Sequence, residues 1–351
     1  MIEYLHRWAR TAPDRPAIID AGTTDRIRYG TLLDRAELLG RSLAIDPGDR
    51  VATVLDRRLE TIVLFWGIMA GGGVVVALDP EEPADQIANQ CQRAAVRQCI
   101  ADSNDTARLA GALPEETNLT ALSEVLKTAR SQPGASGSAV FESPSRGLDR
   151  TRVILFTSGT TGQPSGIRLT GRNLGASAAS TIARVGANRD DRWLLDLPVF
   201  HAGGFSIPIR TAMLGATTVL REDFDPSESA ATMAEYDVTG VSLVPTMLDR
   251  LLDGPGIPDT LEFVLVGGAA TPPRLVERAL TANVPVYPSY GMTETASGVA
   301  TATPEEVARD AETVGRPVQA ADVAICDDRR TEQPSGEPGE IVVSGAIVSP
   351  G

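Results

Sequence analysis

The sequence predicts an α/β protein whose parallel sheets are covered by helices on both faces. Short apolar runs alternate along the chain with amphipathic stretches such as PSESAATMAEYD at 226–237. Residues 130–149 are rich in Ser, Gly and Pro, which indicates an exposed connection between two α/β lobes. From Thr313 onward, short strand-like runs and Pro/Gly turns indicate the start of a small β-barrel. The expected units are a first lobe with its linker, a second lobe and a barrel segment, at 1–150, 151–312 and 313–351.

Eight apolar runs have the composition of buried strands. Runs such as VVVAL are continuous rather than alternating, which is typical of strands covered on both faces. The eight predicted strands lie at 50–56, 74–78, 152–156, 192–198, 216–220, 238–245, 261–267 and 284–291. A second predicted helix, PPRLVERALTAN at 272–283, begins with prolines, which the first turn of a helix tolerates.

One uncharged stretch resembles a membrane span in length. Thr61 to Leu78 contains 18 uncharged residues, close to the about 20 that a membrane-spanning helix needs. Three consecutive glycines, Gly71 to Gly73, interrupt this stretch, and glycine readily ends a helix. We therefore expect a buried helix, a glycine turn and a parallel strand, with a membrane span as the alternative.

The chain is acidic, and its charge limits the partners that it is expected to bind. The 32 basic and 46 acidic residues give a net charge of −14, which argues against a nucleic acid or an anionic membrane. Lys127 is the single lysine. This composition indicates a halophilic protein, with a GC-rich genome that favours arginine codons as the alternative. Three cysteines without metal-ligand spacing, and an N-terminus too charged for a signal peptide, indicate a cytoplasmic protein.

The segment FTSGTTGQPSGIRLT at 156–170 places glycines and hydroxyl side chains directly after an apolar strand. It lacks the Gly-Lys pair of a Walker A loop. Its residues still offer a concave run of hydrogen-bond donors that suits an anion. These residues are Thr157, Ser158, Gly159, Thr160, Thr161 and Gly162. On composition alone, a phosphate-binding loop and a polar hairpin loop both remain open.

The segment TSGTTGQPSG resembles the signature loop of the adenylate-forming superfamily, which includes acyl-CoA synthetases, peptide-synthetase adenylation domains and luciferases. Nine of its ten positions fit the pattern, and Ser165 stands in place of the usual lysine. Four further segments resemble motifs of the same superfamily in the same order: LPVFHAGG (197–204), VGGAATPP (266–273), YPSYGMTETAS (287–297) and GEPGEIVVSG (336–345). The resemblance implies the large N-terminal domain of the adenylate-forming fold.

The same resemblance implies an enzyme in which a carboxylate attacks the α-phosphate of ATP to form an acyl-adenylate, which then passes its acyl group to CoA. His201 would sit beside the α-phosphate and the acid. Without the surrounding motif, the alternative is a polar residue under a helix whose hydrogen bonds are made within the protein. Thr293 would contact the α-phosphate, and Glu294 would help to hold Mg²⁺. Tyr290 would lie against adenine. The residues implied for the nucleotide are Thr157, Ser158, Gly159, Thr160, Thr161, Gly162, Gly268, Ala269, Tyr290, Gly291, Met292 and Thr293.

Within the superfamily, the segments 197–220 and 286–297 are most similar to the o-succinylbenzoate–CoA ligases of menaquinone biosynthesis. Their substrate carries two carboxylates, an aromatic ring and a keto group. One carboxylate reacts, and the resemblance implies that Arg210 binds the other bidentately. The implied acid site also includes His201, Gly267 and Ser289. A surface arginine is the alternative for Arg210, and aryl-CoA ligases for benzoates are the nearest competing family.

Two departures from the superfamily pattern affect this interpretation. Ser165 removes a cation near the phosphates, and Arg168, three positions on, is a candidate replacement. Superfamily members continue beyond the segment that matches Gly351 into a ribose-binding aspartate motif and a C-terminal domain that carries the lysine for adenylation. We therefore expect a truncated N-terminal portion of a ligase, with a catalytically deficient ligand-binding remnant as the alternative. The sequence predicts no oligomeric state.

Overall fold

The structure, a computed structural model, describes residues 1–131, 147–157 and 164–351. These residues form three sheets of nine, six and two strands. The strands are β1 (Pro16–Asp20), β2 (Arg26–Arg28), β3 (Arg50–Val54), β4 (Val74–Leu78), β5 (Gln98–Ala101), β6 (Asn118–Ala121), β7 (Thr151–Thr157), β8 (Ser165–Thr170), β9 (Arg192–Leu195), β10 (Thr217–Leu220), β11 (Gly240–Leu243), β12 (Phe263–Val266), β13 (Val286–Tyr290), β14 (Ala300–Thr301), β15 (Arg316–Pro317), β16 (Asp322–Cys326) and β17 (Glu340–Ser344). The helices are α1 (Ile2–Thr11), α2 (Tyr29–Ser42), α3 (Leu59–Ala70), α4 (Ala84–Arg93), α5 (Ser103–Leu109), α6 (Leu122–Ser131), α7 (Gly171–Val185), α8 (Ala202–Leu214), α9 (Pro226–Glu235), α10 (Pro245–Asp253), α11 (Pro273–Thr281) and α12 (Pro304–Val307).

The six-stranded sheet has the order β6-β5-β3-β4-β7-β8. Its strands pair in parallel except at β7–β8, which is an antiparallel hairpin. Every residue of β4 is buried. Val75 belongs to the core cluster that contains residues of α2 and α3, whereas Val76 belongs to the cluster that contains Cys91 of α4. Helices therefore cover both faces, which explains why this strand is apolar throughout.

The nine-stranded sheet has the order β15-β14-β13-β12-β11-β9-β10-β1-β2. Its strands pair in parallel from β13 to β1, whereas β2, β14 and β15 pair antiparallel at the two edges. Trp193 of β9 is fully buried and meets the ring of Phe263 edge-on, with 4.7 Å between the ring centroids. The predicted α/β architecture of parallel sheets flanked by helices is confirmed.

Strand membership does not follow the predicted boundary at residue 150. Strands β1 and β2 come from the segment predicted as the first lobe, but they lie in the nine-stranded sheet. Conversely, β7 and β8 come after that boundary and complete the six-stranded sheet. Pairing depends on which sheet edges meet in space, and the composition of a linker carries no information on that. The division into 1–150, 151–312 and 313–351 stays a prediction.

The uncharged stretch from Thr61 to Leu78 forms helix α3, a glycine turn and strand β4, as predicted. Helix α3 has 12 residues, a rise of about 18 Å against the ~30 Å of a bilayer core. Within residues 1–131, 147–157 and 164–351, no helix is long and apolar enough to cross a membrane. Gly72 adopts φ +85°, a backbone conformation that favours glycine, and a Cβ on Gly73 would lie 2.8 Å from Cδ1 of Ile45, so a side chain there would displace Ile45.

The final segment contains the antiparallel pair β16–β17, where the sequence predicts the start of a β-barrel. Asn173, in the first turn of α7, connects this segment to the rest of the molecule. Its side-chain amide donates hydrogen bonds to the carbonyls of Ala346 (3.0 Å) and Val348 (2.7 Å). Its Oδ1 accepts a hydrogen bond from the backbone N–H of Thr170 (2.8 Å), which completes a capping box at the start of α7. One side chain thus stabilises a helix end and the last residues of the chain.

Asn173→Ala should lower the free energy of unfolding by about 2 kcal/mol, because it removes the side-chain half of the capping box and leaves two partly buried carbonyls without donors. Asn89→Ala is the control, since Asn89 is exposed within α4 and its loss should change stability by no more than about 0.5 kcal/mol. Urea unfolding of both variants and the wild type measures the difference. Equal effects of the two substitutions would contradict the role assigned to Asn173.

Candidate active site

A cavity of about 690 Å³ lies where strands of the two large sheets end. Strands β4, β7, β11, β12 and β13 each contribute a wall residue: Leu78, Thr157, Leu243, Leu265 and Ser289. Helix α8 closes one side through Ala202, Gly203, Gly204 and Arg210. Open α/β sheets bind ligands at the carboxyl ends of their strands, because helices cover the other surfaces and loops there leave a crevice. The fold therefore places this cavity where a ligand site is expected.

The structure brings together predicted residues from four separate motifs at this cavity. The wall includes Thr157, His201, Arg210, Gly267, Gly268, Ser289, Gly291, Met292 and Thr293. Of the other described residues predicted for the site, Ala269, Tyr290 and Glu294 are not part of the wall. Tyr290 packs against the apolar cluster of Val299 and Ile347. The predicted phosphate-loop residues Ser158, Gly159, Thr160, Thr161 and Gly162 lie outside the described residues.

Two consecutive glycines after β12 bring the backbone to the edge of the cavity. A Cβ on Gly267 would lie 2.5 Å from Oγ of Ser289, and Gly268 adopts φ +82°. The Ser289 hydroxyl is fixed by donating to the carbonyl of Val266 at 3.0 Å. Glycine is required at both positions, because the first has no room for a side chain and the second has a left-handed backbone.

The turn at 291–298 forms another part of the wall and contains two left-handed residues that are not glycine. Ala296 has φ +52° and Ser297 has φ +110°. A Cβ on Gly291 would lie 1.5 Å from the carbonyl oxygen of Ser297, so the turn can close only over a glycine. The N–H of Ser297 donates to the carbonyl of Met292 at 3.2 Å, which closes the turn around the 3₁₀ segment Thr293–Thr295.

His201 is the residue immediately before α8, and its ring meets the ring of Phe200 edge-on with 4.7 Å between centroids. Desolvation lowers the pKa of His201 below its ordinary value, and the nearby Asp79 carboxylate partly offsets this effect. At neutral pH the imidazole is therefore mainly uncharged, since even an unperturbed histidine has a pKa of about 6.5. An uncharged ring at the wall can exchange hydrogen bonds with a ligand without presenting a fixed charge.

Arg210 is the most unusual residue of the cavity, because its cation is fully buried. The side chain is 1% exposed. Its guanidinium carbon lies 5.3 Å from the Trp193 ring centroid, and Nη2 donates to Oγ of Ser297 at 3.1 Å. Nε and Nη1 have no hydrogen-bond partner among the described residues. The alternative of a surface arginine is therefore wrong.

Desolvation lowers the pKa of Arg210 to about 10, so the guanidinium still carries its charge at neutral pH. A buried cation without an anionic partner is unfavourable by several kcal/mol. Its two unused donors and its place in the cavity wall suit a ligand that brings an anion of its own. The arrangement selects for a carboxylate or a similar planar anion, which a guanidinium binds through two parallel hydrogen bonds.

The sequence did not predict a group of polar residues that the segment after β4 and helix α4 contribute to the cavity. Asp79, Glu82 and Gln90 all line it. Burial raises the pKa of Glu82, and a hydrogen bond from Gln90 partly offsets that rise. Glu82 Oε2 and Gln90 Oε1 have no hydrogen-bond partner within the described part of the chain. The position of Asp79 directly after a buried strand could have indicated it, but no sequence signal marks Gln90.

Ser165 stands in place of the lysine of the superfamily pattern, and Arg168 does not supply the missing positive charge in this structure. Ser165 begins β8 and is exposed. Arg168 donates from Nε to the carbonyl of Gly351 at 2.7 Å and does not line the cavity. The hypothesis that Arg168 compensates for the missing lysine finds no support in these contacts.

A family model and the sequences of known proteins match this chain over nearly its whole length. The family model described as AMP-binding enzyme matches residues 5–351. The chain is 32% identical to the 2-succinylbenzoate–CoA ligase of Geobacillus kaustophilus, over all of this chain and 70% of that protein. It is 31% identical to the 2-succinylbenzoate–CoA ligase of Bacillus licheniformis, over 99% of this chain and 71% of that protein.

Solved structures of similar fold include the o-succinylbenzoate coenzyme A synthetase of Bacillus subtilis in complex with AMP. Its TM-score is 0.89 at 27% identity, over 99% of this chain and 88% of that chain. The same synthetase in complex with ATP and magnesium ion gives a TM-score of 0.89, over 99% of this chain and 71% of that chain. The N-terminal domain of FACL13 from Mycobacterium tuberculosis gives a TM-score of 0.91 at 25% identity, over 99% of this chain and 89% of that chain.

Asp79→Asn should lower the pKa of His201 further, because the Asp79 carboxylate is the group that raises it. Histidine ring resonances followed by NMR against pH measure this value. His6, whose pKa is affected by Glu37 and Glu3 instead, provides an internal control and should titrate unchanged. An unchanged or raised pKa of His201 would contradict the electrostatic contact between these two residues.

Proposed function

We propose that this chain, which belongs to the family of AMP-binding enzymes, acts as an ATP-dependent acid–thiol ligase that activates 2-succinylbenzoate and transfers it to CoA. The observation that carries the choice of acid is the buried, incompletely paired guanidinium of Arg210 in the cavity wall. A monocarboxylic acid would use its carboxylate in the reaction and leave this cation unpaired. A dicarboxylic acid supplies one carboxylate for the reaction and another for Arg210.

The acid would lie between helix α8 and the ends of β11 and β12. Its second carboxylate would accept hydrogen bonds from Nε and Nη1 of Arg210, which have no hydrogen-bond partner in the described part of the chain. Its aromatic ring would contact apolar wall residues such as Leu197, Phe200 and Leu265. The reacting carboxylate would then lie near His201, at the other end of the same helical segment. Gly267 and Ser289 would border the acid where β12 and β13 end.

The nucleotide would occupy the side of the cavity formed by the glycine segment and the turn. Gly267 and Gly268 allow a flat ligand to approach the backbone closely, because neither position carries a side chain. Thr293 would donate its hydroxyl to the α-phosphate, and the loop after β7 would hold the outer phosphates. The full proposed set is Thr157, Ser158, Gly159, Thr160, Thr161, Gly162, Gly268, Ala269, Tyr290, Gly291, Met292 and Thr293.

The donor set suits a magnesium ion that is bound mainly through phosphate. Among the described residues, no group of three or more His, Cys, Asp or Glu side chains could hold a metal alone. Mg²⁺ in nucleotide sites commonly has one or two carboxylate ligands and takes its other ligands from phosphates and water. Glu294, in the 3₁₀ turn beside Thr293, is the proposed carboxylate. When bound, the ion would neutralise charge on the phosphates.

The proposed reaction has two steps. A carboxylate oxygen attacks the α-phosphorus of ATP, the bond to the bridging oxygen breaks, and pyrophosphate leaves. The sulfur of CoA then attacks the acyl carbonyl, and AMP leaves. His201 would orient the reacting carboxylate as an uncharged ring, in keeping with its lowered pKa. The acidic, lysine-poor composition supports a cytoplasmic and high-salt setting for this reaction.

Arg210→Ala should weaken the binding of 2-succinylbenzoate by at least about 2 kcal/mol, as expected when one partner of a buried charge pair is removed. Benzoate has a single carboxylate and should bind almost unchanged. Isothermal titration calorimetry with both acids measures the two effects. Arg168→Ala is the control, because Arg168 is exposed and lies outside the cavity wall.

An equal loss for both acids would contradict the assignment of Arg210 to the second carboxylate. Tight binding of benzoate combined with weak binding of 2-succinylbenzoate to the wild type would instead favour an aryl-CoA ligase. Either result would leave membership of the AMP-binding family unaffected.

A further inference from the structure

The turn at 291–298 is held in a strained conformation by side chains from two helices. Ser297 has φ +110°, a region that glycine adopts easily and other residues rarely. Strain of this kind is unfavourable by about 1–3 kcal/mol per residue and persists only where neighbouring contacts enforce it. The hydroxyl of Ser177, on α7, donates to the carbonyl of Ala296 at 2.7 Å. Nη2 of Arg210, on α8, donates to the hydroxyl of Ser297 at 3.1 Å.

The contact between Arg210 and Ser297 joins two functionally different parts of the cavity. Arg210 is the residue proposed to bind the second carboxylate of the acid. The turn that contains Ser297 also carries Gly291, Met292 and Thr293, which line the cavity where the nucleotide is proposed to bind. Glycine would remove the strain at position 297, but it would also remove the hydroxyl that Arg210 contacts. A serine at position 297 therefore keeps the contact with Arg210 at the expense of a strained backbone.

We infer that Ser297 is a positioning residue that couples the acid site to the nucleotide site, so that binding of the acid tightens binding of the nucleotide. This inference rests on the proposed function. Without the acid, the guanidinium is held by one hydrogen bond and by the face of the Trp193 ring, and its other two nitrogens have no hydrogen-bond partner among the described residues. A carboxylate bound to those nitrogens fixes the guanidinium plane. The Nη2–Ser297 hydrogen bond then holds the turn in the conformation that presents Thr293 to the cavity.

Coupling of this kind is reciprocal, because each ligand must change the affinity for the other by the same factor. It can be measured without turnover, because AMP and the free acid carry no leaving group and therefore do not react with each other. The experiment determines the Kd of AMP by calorimetry, with and without saturating 2-succinylbenzoate. For the wild type, the acid should lower the Kd of AMP by at least about fivefold, a typical coupling factor.

Ser297→Ala should reduce that factor at least about threefold while the variant still binds each ligand alone. Ser297→Gly provides a second variant in which the backbone strain is also relieved, and it should lose the coupling to the same extent. Ser177→Ala is the matched control, because the Ser177 hydroxyl supports the neighbouring residue of the same turn and is not the hydroxyl to which Arg210 donates. It should keep the coupling factor of the wild type.

Equal loss of coupling in Ser177→Ala and Ser297→Ala would overturn the inference, because it would show only that an intact turn is needed. Wild-type coupling in Ser297→Ala and Ser297→Gly would also overturn it. The result for Arg210→Ala separates this inference from the proposed function. If Arg210→Ala loses the acid while the Ser297 variants keep the coupling, only the coupling is wrong. If Arg210→Ala binds the acid as tightly as the wild type, the proposed place of the second carboxylate at Arg210 is wrong.

Discussion

The buried charge of Arg210 is the constraint on which the site depends. The fold encloses a guanidinium completely and satisfies it only in part, through Ser297 and the face of Trp193. Removing such a cation from water is unfavourable by several kcal/mol unless an anion accompanies it. The rest of the protein must therefore be stable enough to tolerate this cost. Two large sheets with extensive apolar clusters on their faces supply that stability.

Helix α8 links the two residues that are proposed to contact the two carboxylates of the acid. His201 precedes the helix and Arg210 lies nine residues further on, which corresponds to a rise of about 13 Å. Most of the helix is buried, and it packs against helices α1 and α7 and strands β9 and β10, so its position is set by packing rather than by solvent-exposed contacts. The separation between a site for the reacting carboxylate and a site for a second anion is consequently fixed by a rigid element.

Sequence reasoning succeeded where a residue's role follows from local pattern. The continuous apolar runs correspond to strands β3, β4, β7 and β9–β13, because strands buried on both faces leave that pattern. The motifs also indicated His201, Gly268 and Thr293, which the structure places in one cavity wall. Long-range pairing was missed, since nothing local shows that β1 and β2 join the second sheet. The incomplete hydrogen bonding of Arg210 among the described residues and the roles of Ser297 and Gln90 were likewise missed, because they depend on contacts between residues far apart in sequence.

The most direct test of the account is the stability of Arg210→Met in the presence and absence of 2-succinylbenzoate. Methionine keeps much of the side-chain volume and removes the charge. Without the acid, urea unfolding should show the variant to be more stable than the wild type by about 1–4 kcal/mol, the range seen when buried ion pairs are replaced by apolar residues of similar volume. The acid should then stabilise the wild type but not the variant. A variant that is less stable than the wild type without the acid would contradict the account, because it would mean that the fold itself pairs this arginine.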